Sequence, residues 1–136
     1  MTLPELNKVK AYIDEKLKFT DDNISKKLLD HPYFYHSVLD IYIKEKRILD
    51  NLERKKKMVY AERYDFFKFK NNFRLDSAKE IDCYINGEKV YDDVCLEYNL
   101  QENVVTYFVE ILDAIKKMSF TMQSYIRMKE FLAGKV

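Results

Sequence analysis

The sequence predicts a mainly α-helical fold, built from long helices with a coiled-coil-like helix at the C-terminal end. Only two glycines and two prolines interrupt its 136 residues, whereas an all-β fold needs a turn every several residues. Apolar residues also recur at three- and four-residue spacing over long stretches, as they do on one face of a helix. We expect a single helical domain over residues 1–136, with N-terminal helices (2–70), an acidic connector (71–100) and a C-terminal helix (101–136).

The first helix is marked by capping-box spacing between Thr2 and Glu5. Pro4 lies in the first turn, where its missing N–H costs nothing. A polar run then ends this helix. Thr20 or Asp21 within that run would cap a short second helix.

Asp30 and Pro32 mark the start of a long helix, with Asp30 as its N-terminal cap. Residues 33–70 contain no glycine or proline, and Asn71-Asn72 would end the helix. At about 1.5 Å per residue it would span on the order of 55 Å, which is longer than a compact domain of this size. A helix that long needs packing partners, either from the same chain or from another subunit.

Residues 73–92 form the least helical stretch, and a small β-hairpin is possible over residues 82–91. Apolar and polar residues alternate there on both sides of Asn86-Gly87, the strongest short-range hairpin signal. An isolated two-stranded hairpin is only marginally stable in water. The local sequence pattern is therefore the only argument for a hairpin here.

A last helix is predicted from near Gln101 to Ala133, with Gly134 as its C-terminal cap. Its apolar residues keep an alternating four–three step, which is the pattern of a coiled-coil seam. Such a seam is usually the core of one chain. Here its length, the unmet packing needs of the long helix and its adaptable methionines favour an interface between subunits. The predicted oligomerisation residues are Phe108, Ile111, Leu112, Ile115, Met118, Met122 and Tyr125.

Charge is segregated along the chain, although the net charge is only +1. Residues 44–74 carry eleven Lys or Arg against five Asp or Glu, residues 75–113 carry two against ten, and residues 114–136 carry five against one. This asymmetry predicts a basic face for a polyanion and an acidic face for a protein or a neighbouring subunit.

A basic run at 54–57 lies within the long helix, and further cations follow it among aromatic residues. Lys and Arg bind phosphates with an affinity that depends on salt and not on sequence, and aromatic faces stack on the unpaired bases of a single strand. A solvated helix face with aromatic residues in the core explains the same pattern, so composition alone leaves both interpretations open. The candidate nucleic-acid-binding residues are Arg54, Lys55, Lys56, Lys57, Arg63, Lys68 and Lys70, and the interleaved aromatic residues are Tyr60, Tyr64, Phe66, Phe67, Phe69 and Phe73.

The sequence contains no recognisable catalytic or metal-binding motif. Two histidines and two glycines leave little from which to build a nucleotide site or a catalytic triad, so we expect no enzyme activity, metal or cofactor. Cys83 and Cys95 lack metal-ligand spacing and are expected to be free thiols in a reducing cytoplasm. The acidic residues between 76 and 97 lack the order of a calcium-binding loop. A solvated acidic surface explains them better than the alternative, a metal-dependent nuclease.

No segment has the pattern of a signal peptide or a membrane span. The first 16 residues are charged throughout, and no run approaches the ~20 apolar residues that a spanning helix needs. We therefore expect a cytoplasmic protein without membrane contact.

Two blocks of the sequence, together with the region between them, cover about the last 80 residues. The first block is basic with an aromatic tail and consists of Lys56-Lys57, Arg63, Asp65, Phe66 and Phe67. The second lies near the C-terminal end and consists of Leu112-Asp113-Ala114-Ile115-Lys116, Phe120, Met128, Phe131, Ala133 and Gly134. In their order and rough spacing, the two blocks resemble the basic segment and the C-terminal end of the UvsY family, the recombination mediators of T-even phages.

The resemblance implies a non-enzymatic protein that forms ring-like homo-oligomers, hexamers or heptamers, through its C-terminal helix. It also implies binding of single-stranded DNA, and assistance to a recombinase of the UvsX type in displacing the phage single-strand-binding protein. The setting would be the cytoplasm of an infected bacterial host. A helical oligomeric adaptor or scaffold without nucleic-acid binding is the alternative.

One position departs from the family pattern. The DNA-binding segment of the family carries a Lys-x-Arg pair, and Arg63 matches its arginine, whereas Ala61 stands where its lysine would be. Nearby lysines would then supply the missing charge, namely Lys56, Lys57, Lys68 and Lys70.

Overall fold

The computed structural model describes residues 1–70, 75 and 77–134, and every regular element in that part of the chain is helical. Helix α1 spans Leu3–Leu17, α2 spans Ile24–Asp65, α3 spans Ala78–Asn86 and α4 spans Lys89–Leu132. A π-helical turn, Phe66–Lys70, continues α2. The mainly α-helical prediction is confirmed. Within the same residues, no helix has both the length and the apolar character needed to cross a membrane.

Helix α1 begins with the predicted capping box. The N–H of Thr2 donates to Glu5 Oε2 at 2.8 Å, and the N–H of Glu5 donates to Thr2 Oγ1 at 3.3 Å. These bonds satisfy two N–H groups that have no partner inside the helix. The bond from the Thr2 backbone also lowers the pKa of the Glu5 carboxyl.

Helix α2 begins at Ile24 and runs through Pro32. The predicted division into a short second helix and a long helix starting at Asp30 is therefore wrong. Proline removes one hydrogen bond from a helix interior, but Pro32 is exposed. The buried residues Ile24, Phe34 and Val38 continue an apolar stripe across it, and this burial sustains one continuous helix.

The possible hairpin at 82–91 is not formed, because these residues belong to α3, a turn and the start of α4. Gly87 follows α3 with a φ of −86°, whereas the Asn-Gly turn of a two-residue hairpin requires positive φ. Ile81 and Ile85 are four residues apart, so a helix places both on one face. Both are buried there, and this burial favours α3 over an isolated β-ribbon.

Helix α4 begins at Lys89, well before its predicted start near Gln101. Gln101 lies inside the helix, where its buried Nε2 donates to the carbonyl oxygen of Glu45 at 2.9 Å and to its Oε2 at 2.6 Å. At the other end, Gly134 has a φ of +73°. It adopts the left-handed conformation of a helix C-terminal cap, as predicted.

The chain divides into two compact units, to both of which α2 and α4 contribute. The first unit comprises Met1–Ile43 and Tyr107–Val136, and the fully buried residues of its core include Ile13 and Val38. The second unit comprises Lys44–Thr106. Its core is formed by Phe67, Ile81 and Ile85, with partly buried tyrosines packed against them.

Most of the predicted oligomerisation residues lie inside the first unit. Five of the seven are buried there, namely Phe108, Leu112, Ile115, Met118 and Met122. Residues of α1 and of the N-terminal part of α2 lie beside this stretch, since His31 Nε2 lies 2.7 Å from the carbonyl oxygen of Ile115 and Met118 lines a cavity with Tyr12 and Phe34. Sequence analysis did not assign these neighbours. A side chain enclosed by its own chain cannot contact a neighbouring subunit, so the interpretation of these five as an interface is corrected. Ile111 and Tyr125 are half-buried, and Tyr125 Oη donates to the Asp21 carboxylate.

Candidate nucleic-acid interface

The seven predicted nucleic-acid-binding residues all lie between 54 and 70, on the C-terminal part of α2 and on the π-helical turn. We call this stretch the basic segment. Five of the seven cations are exposed, and two, Lys56 and Arg63, are half-buried. The basic segment therefore contains cations that face solvent and cations that pack against other parts of the chain.

Helical spacing explains this division. Lys56, Tyr60 and Arg63 follow one another at steps of four and three residues, so they share one face of α2. That face contacts α3, α4 and the turn between them. Arg54 lies on the opposite side and is exposed to solvent, whereas Lys57 lies at the edge of this face and is also exposed.

Arg63 is held by a carboxylate of the same chain. Its Nε lies 2.7 Å from Glu88 Oε1, and its Nη2 lies 2.7 Å from Glu88 Oε2. The guanidinium also lies 4.3 Å from the centre of the Phe66 ring. The side chains of Arg63 and Glu88 are only 27% and 25% exposed. This planar, two-bond pairing ties the end of α2 to the residue before α4, at a position where the sequence predicted a phosphate contact.

We expect the charges of Arg63 and Glu88 to be coupled in the free energy of unfolding. A double-mutant cycle of Arg63→Ala and Glu88→Ala should give about 1–2 kcal/mol, because both groups are partly desolvated and share two hydrogen bonds. Urea denaturation followed by circular dichroism measures this coupling. The exposed pair Lys70 and Asp65, with 3.3 Å between Nζ and Oδ2, is the matched control and should give less than about 0.5 kcal/mol. Equal coupling energies in the two pairs would show that the Arg63–Glu88 pair stabilises the fold no more than an exposed ion pair does.

A cavity of about 330 Å³ lies between α2 and α4, and we call it the tyrosine cavity. It is lined by Glu53, Lys56, Lys57, Tyr60, Tyr91 and Tyr98. Lys56 Nζ lies 4.8 Å from the centre of the Tyr98 ring, and the rings of Tyr60 and Tyr91 meet edge to face at 5.5 Å. The cavity therefore presents aromatic rings directly beside two ammonium groups.

The surroundings raise the pKa of two tyrosines of this cavity, Tyr60 and Tyr91. Tyr60 Oη donates to Asp82 Oδ1 at 2.6 Å, and this bond to an anion raises the pKa of Tyr60 to about 12. Burial raises the pKa of Tyr91. The hydroxyls of Tyr60 and Tyr91 therefore lose their protons less readily than an ordinary tyrosine does. Uncharged rings beside cations are the combination that binds a stacked base and its phosphate.

The other cations of the basic segment make weak local contacts. Lys57 Nζ lies 3.7 Å from Glu53 Oε1, and Lys55 Nζ lies 3.9 Å from Glu97 Oε2, with all four side chains at least half exposed. Such surface pairs contribute less than about 1 kcal/mol. Arg54 makes no ion pair with any residue that the structure describes. These groups can exchange their contacts for phosphate oxygens at little energetic cost.

Tyr91 and Tyr98 were not among the predicted site residues. Both belong to α4, in the stretch that the sequence presented as a hairpin and an acidic connector. Their spacing of seven residues is two helical turns and was the available signal, but the Asn-Gly dipeptide before them favoured a β-turn. The predicted helix end at 71–72, the aromatic Phe73 and the cation Arg74 lie outside the described residues.

The acidic cluster predicted between 76 and 97 is partly engaged in the fold. Asp82 accepts from Tyr60, and Glu88 accepts from Arg63. Asp76 lies outside the described part of the chain. Within that part, no group of three or more His, Cys, Asp or Glu residues is placed to hold a metal ion. The two cysteines, at 83 and 95, are free thiols.

Comparison with known proteins identifies the family of this chain. A family model described as "Recombination, repair and ssDNA binding protein UvsY" matches residues 7–135. Crystal structures of the bacteriophage T4 recombination mediator protein UvsY have the same fold. Lattice type II gives a TM-score of 0.83 at 16% identity, over 98% of both chains. Lattice type IV gives 0.80 at 17% identity, over 93% of this chain and 97% of that one, and lattice type I gives 0.80 at 15%, over 91% and 98%. No curated protein matches the sequence significantly. The chain therefore belongs to the UvsY family of recombination, repair and single-stranded-DNA-binding proteins.

Proposed function

We propose that this protein is a recombination mediator that binds single-stranded DNA through the basic segment and the tyrosine cavity. It helps a recombinase of the UvsX type to displace the phage single-strand-binding protein from the strand, without catalysing a reaction itself. The observation that carries the proposal is the tyrosine cavity, where Lys56 and Lys57 meet rings from two helices in a chain of the UvsY family. The T4 protein of the same fold bears the name recombination mediator protein.

The side chains divide the binding of the strand between them. Arg54 and Lys57 face solvent and bind phosphates. Lys56, whose ammonium lies over the Tyr98 ring, moves to a phosphate, and the adjacent base takes its place on that ring. Arg63 keeps this surface in place through Glu88. The remaining exposed cations of the basic segment add further phosphate contacts, namely Lys55, Lys68 and Lys70.

Lys57 compensates in part for the incomplete Lys-x-Arg pair. Ala61 is exposed, and it follows Lys57 by four residues, so both lie on the same face of α2. The ammonium of Lys57 therefore lies one helical turn before the position at which the family pattern has its lysine. A phosphate can be bound there without a lysine at position 61.

The protein acts as a ring-like homo-oligomer, a hexamer or heptamer. Its interface uses exposed apolar side chains of the C-terminal part of α4, because the buried seam is not available. Phe120 and Phe131, three helical turns apart, are 68% and 70% exposed, and Leu132 is 73% exposed. Exposed apolar groups of this kind mark sites of protein association. A ring multiplies weak phosphate contacts of single subunits into high avidity.

The protein acts as a mediator because the single-strand-binding protein and the recombinase differ in their affinity for the strand that it holds. A strand held on several basic segments of a ring is bent or wrapped away from the form that the single-strand-binding protein grips. If the recombinase binds the held form better, the equilibrium shifts toward the recombinase. The exposed carboxylates Asp92 and Asp93 at the start of α4 offer an acidic surface for one of these two proteins.

The decisive test is a loading assay on single-stranded DNA that is already covered by the phage single-strand-binding protein. We expect the protein to shorten the lag before the recombinase hydrolyses ATP on this DNA. The variant Arg54→Ala/Lys56→Ala/Lys57→Ala should leave the lag long. If the parent protein binds DNA tightly but does not change the lag, it is a strand-binding protein and not a mediator.

A further inference from the structure

A second, larger cavity lies in the first unit, away from every residue of the basic segment along the chain. Its volume is about 490 Å³, within the range of pockets that hold small organic ligands. We call it the N-terminal cavity. It is lined by Tyr12, Lys16, Asn23, Lys26, Lys27, Asp30, His31, Tyr33, Phe34, Ser37 and Met118. The lining thus combines three lysines and several aromatic rings with a single carboxylate.

Two of these lysines are available to a ligand and one is not. Lys27 Nζ donates to the carbonyl oxygens of Glu15 (3.2 Å), Lys16 (3.1 Å) and Lys18, at the C-terminal end of α1. An ammonium has three donors, so Lys27 is fully used in capping that helix end. Lys16 and Lys26 are exposed, and neither forms an ion pair with any part of the chain that the structure describes.

The aromatic side chains supply a surface for a flat ring. Tyr33 is 78% exposed although it lines the cavity. The Tyr12 ring packs edge to face on Phe34, with centroids 6.3 Å apart, and Lys16 Nζ lies 5.7 Å from the centre of the Tyr12 ring. The arrangement repeats the chemistry of the tyrosine cavity, with ammonium groups beside accessible tyrosine faces.

Two other polar side chains of the lining form hydrogen bonds within the chain. His31 Nε2 lies 2.7 Å from the carbonyl oxygen of Ile115, to which it can only donate, so this nitrogen anchors α2 to α4. Ser37 Oγ donates to the carbonyl oxygen of Phe34. Among the described lining residues, Asp30 is the one carboxylate that would repel an anion. Its negative charge is smaller than the combined positive charge of Lys16 and Lys26.

We propose that the N-terminal cavity is a second strand-binding site, which holds one nucleotide of single-stranded DNA. Lys16 and Lys26 bind the phosphate, and Tyr33 and Tyr12 contact the base. This site goes beyond the proposed function, which places the strand only on the basic segment. Each chain then offers single-stranded DNA two separate binding sites.

The salt dependence of binding tests the phosphate contacts. The full chain is titrated with a labelled oligo-dT, and the affinity is measured by anisotropy at several salt concentrations. We expect Lys16→Ala/Lys26→Ala to lower the slope of log affinity against log salt by about 0.7, since one neutralised phosphate of a single strand contributes about that much. The control Lys8→Ala/Lys44→Ala removes two exposed lysines of the same helices outside the cavity and should leave the slope unchanged. Equal slopes in the two variants would overturn the proposal.

A tryptophan reporter tests the base contact. The chain contains no tryptophan, so the emission of Tyr33→Trp reports on this cavity alone. We expect oligo-dT to quench it through stacking, while Leu3→Trp, at an exposed position outside the cavity, should not respond. If dTMP quenches Tyr33→Trp and oligo-dT does not, the cavity binds free nucleotides and the strand proposal is wrong.

The same reporter separates this inference from the proposed function. In the background of Lys56→Ala/Lys57→Ala, saturating oligo-dT should still quench Tyr33→Trp if the N-terminal cavity binds the strand. Quenching that disappears together with the basic-segment contacts would show that the cavity has no affinity of its own. Unchanged binding in Lys56→Ala/Lys57→Ala, with a lowered slope in Lys16→Ala/Lys26→Ala, would instead overturn the basic segment as the strand site and support the cavity.

Discussion

The variant Ile115→Asp is expected to lose the fold of the first unit. The Ile115 side chain is 0% exposed, so an aspartate there must be buried without a partner or expelled together with part of α4. Either outcome costs several kcal/mol, against a total stability of about 5–15 kcal/mol for a typical domain. Circular dichroism should show a large loss of helix, or a melting temperature far below that of the parent. The conservative Ile115→Val should cost only about 1 kcal/mol.

The control for this prediction lies on the exposed part of the same helix. Phe131 is 70% exposed, so Phe131→Asp should keep the helical content of the parent. Light scattering should then report a smaller assembly, because the proposed interface is damaged and the core is not. A folded Ile115→Asp protein of reduced mass would contradict this account and would restore the buried seam as the subunit interface.

The misassigned seam illustrates what periodicity can predict. The seven-residue spacing of Phe108, Ile115 and Met122 correctly indicated that these residues share one buried face. Spacing does not specify what covers that face, because cover is a tertiary property. The N-terminal part of α2 belongs to one helix that continues through Pro32, and the interpretation of Asp30 and Pro32 as a helix start hid this continuity.

Local structure was predicted correctly where the interacting residues lie within about one helical turn of each other. The capping box of Thr2 and Glu5 and the left-handed Gly134 depend on residues a few positions apart. The Asn86-Gly87 dipeptide is also a local signal, but it was overridden because α3 buries Ile81 and Ile85 on one face. Burial of apolar side chains outweighs a preference for one turn type.

The charged residues of the candidate site could be predicted from the sequence, but the residues of the same chain that they contact could not. The run of cations at 54–57 is a property of sequence alone and lies on α2, while its contact with the strand stays a prediction. The commitment of Arg63 to Glu88, 25 residues away, could not be predicted, because it depends on how α2 meets α4. The tyrosine rings at 91 and 98 reach Lys56 for the same reason.

The variant Arg54→Ala/Lys56→Ala/Lys57→Ala is expected to lose strand binding while it keeps its fold. Three lost phosphate contacts of about 0.7 each in slope correspond to a roughly fiftyfold weaker affinity at about 0.15 M salt. Two of these side chains are exposed, and alanine is a strong helix former. The stability should therefore fall by no more than about 1 kcal/mol, mainly through the contact of Lys56 with Tyr98. Oligo-dT anisotropy and urea denaturation measure the two effects separately.

A matched variant with the same change in charge controls for nonspecific attraction. Lys8→Ala/Lys44→Ala/Arg47→Ala removes two lysines and one arginine, all exposed and all outside the basic segment. Its affinity for oligo-dT should stay within a few-fold of the parent, because long-range attraction is screened over about 8 Å at physiological salt. A loss equal to that of the basic-segment variant would mean that net charge, and not this surface, binds the strand.

The most direct measurement of the central claim is the salt dependence of oligo-dT binding in the parent and three variants. We predict that the slope of log affinity against log salt falls by about 2 in Arg54→Ala/Lys56→Ala/Lys57→Ala and does not change in the matched control. It should rise by about 0.7 in Ala61→Lys, which completes the Lys-x-Arg pair on the exposed face of α2. If the basic-segment variant keeps the slope of the parent and Ala61→Lys adds nothing, single-stranded DNA binds elsewhere on the molecule.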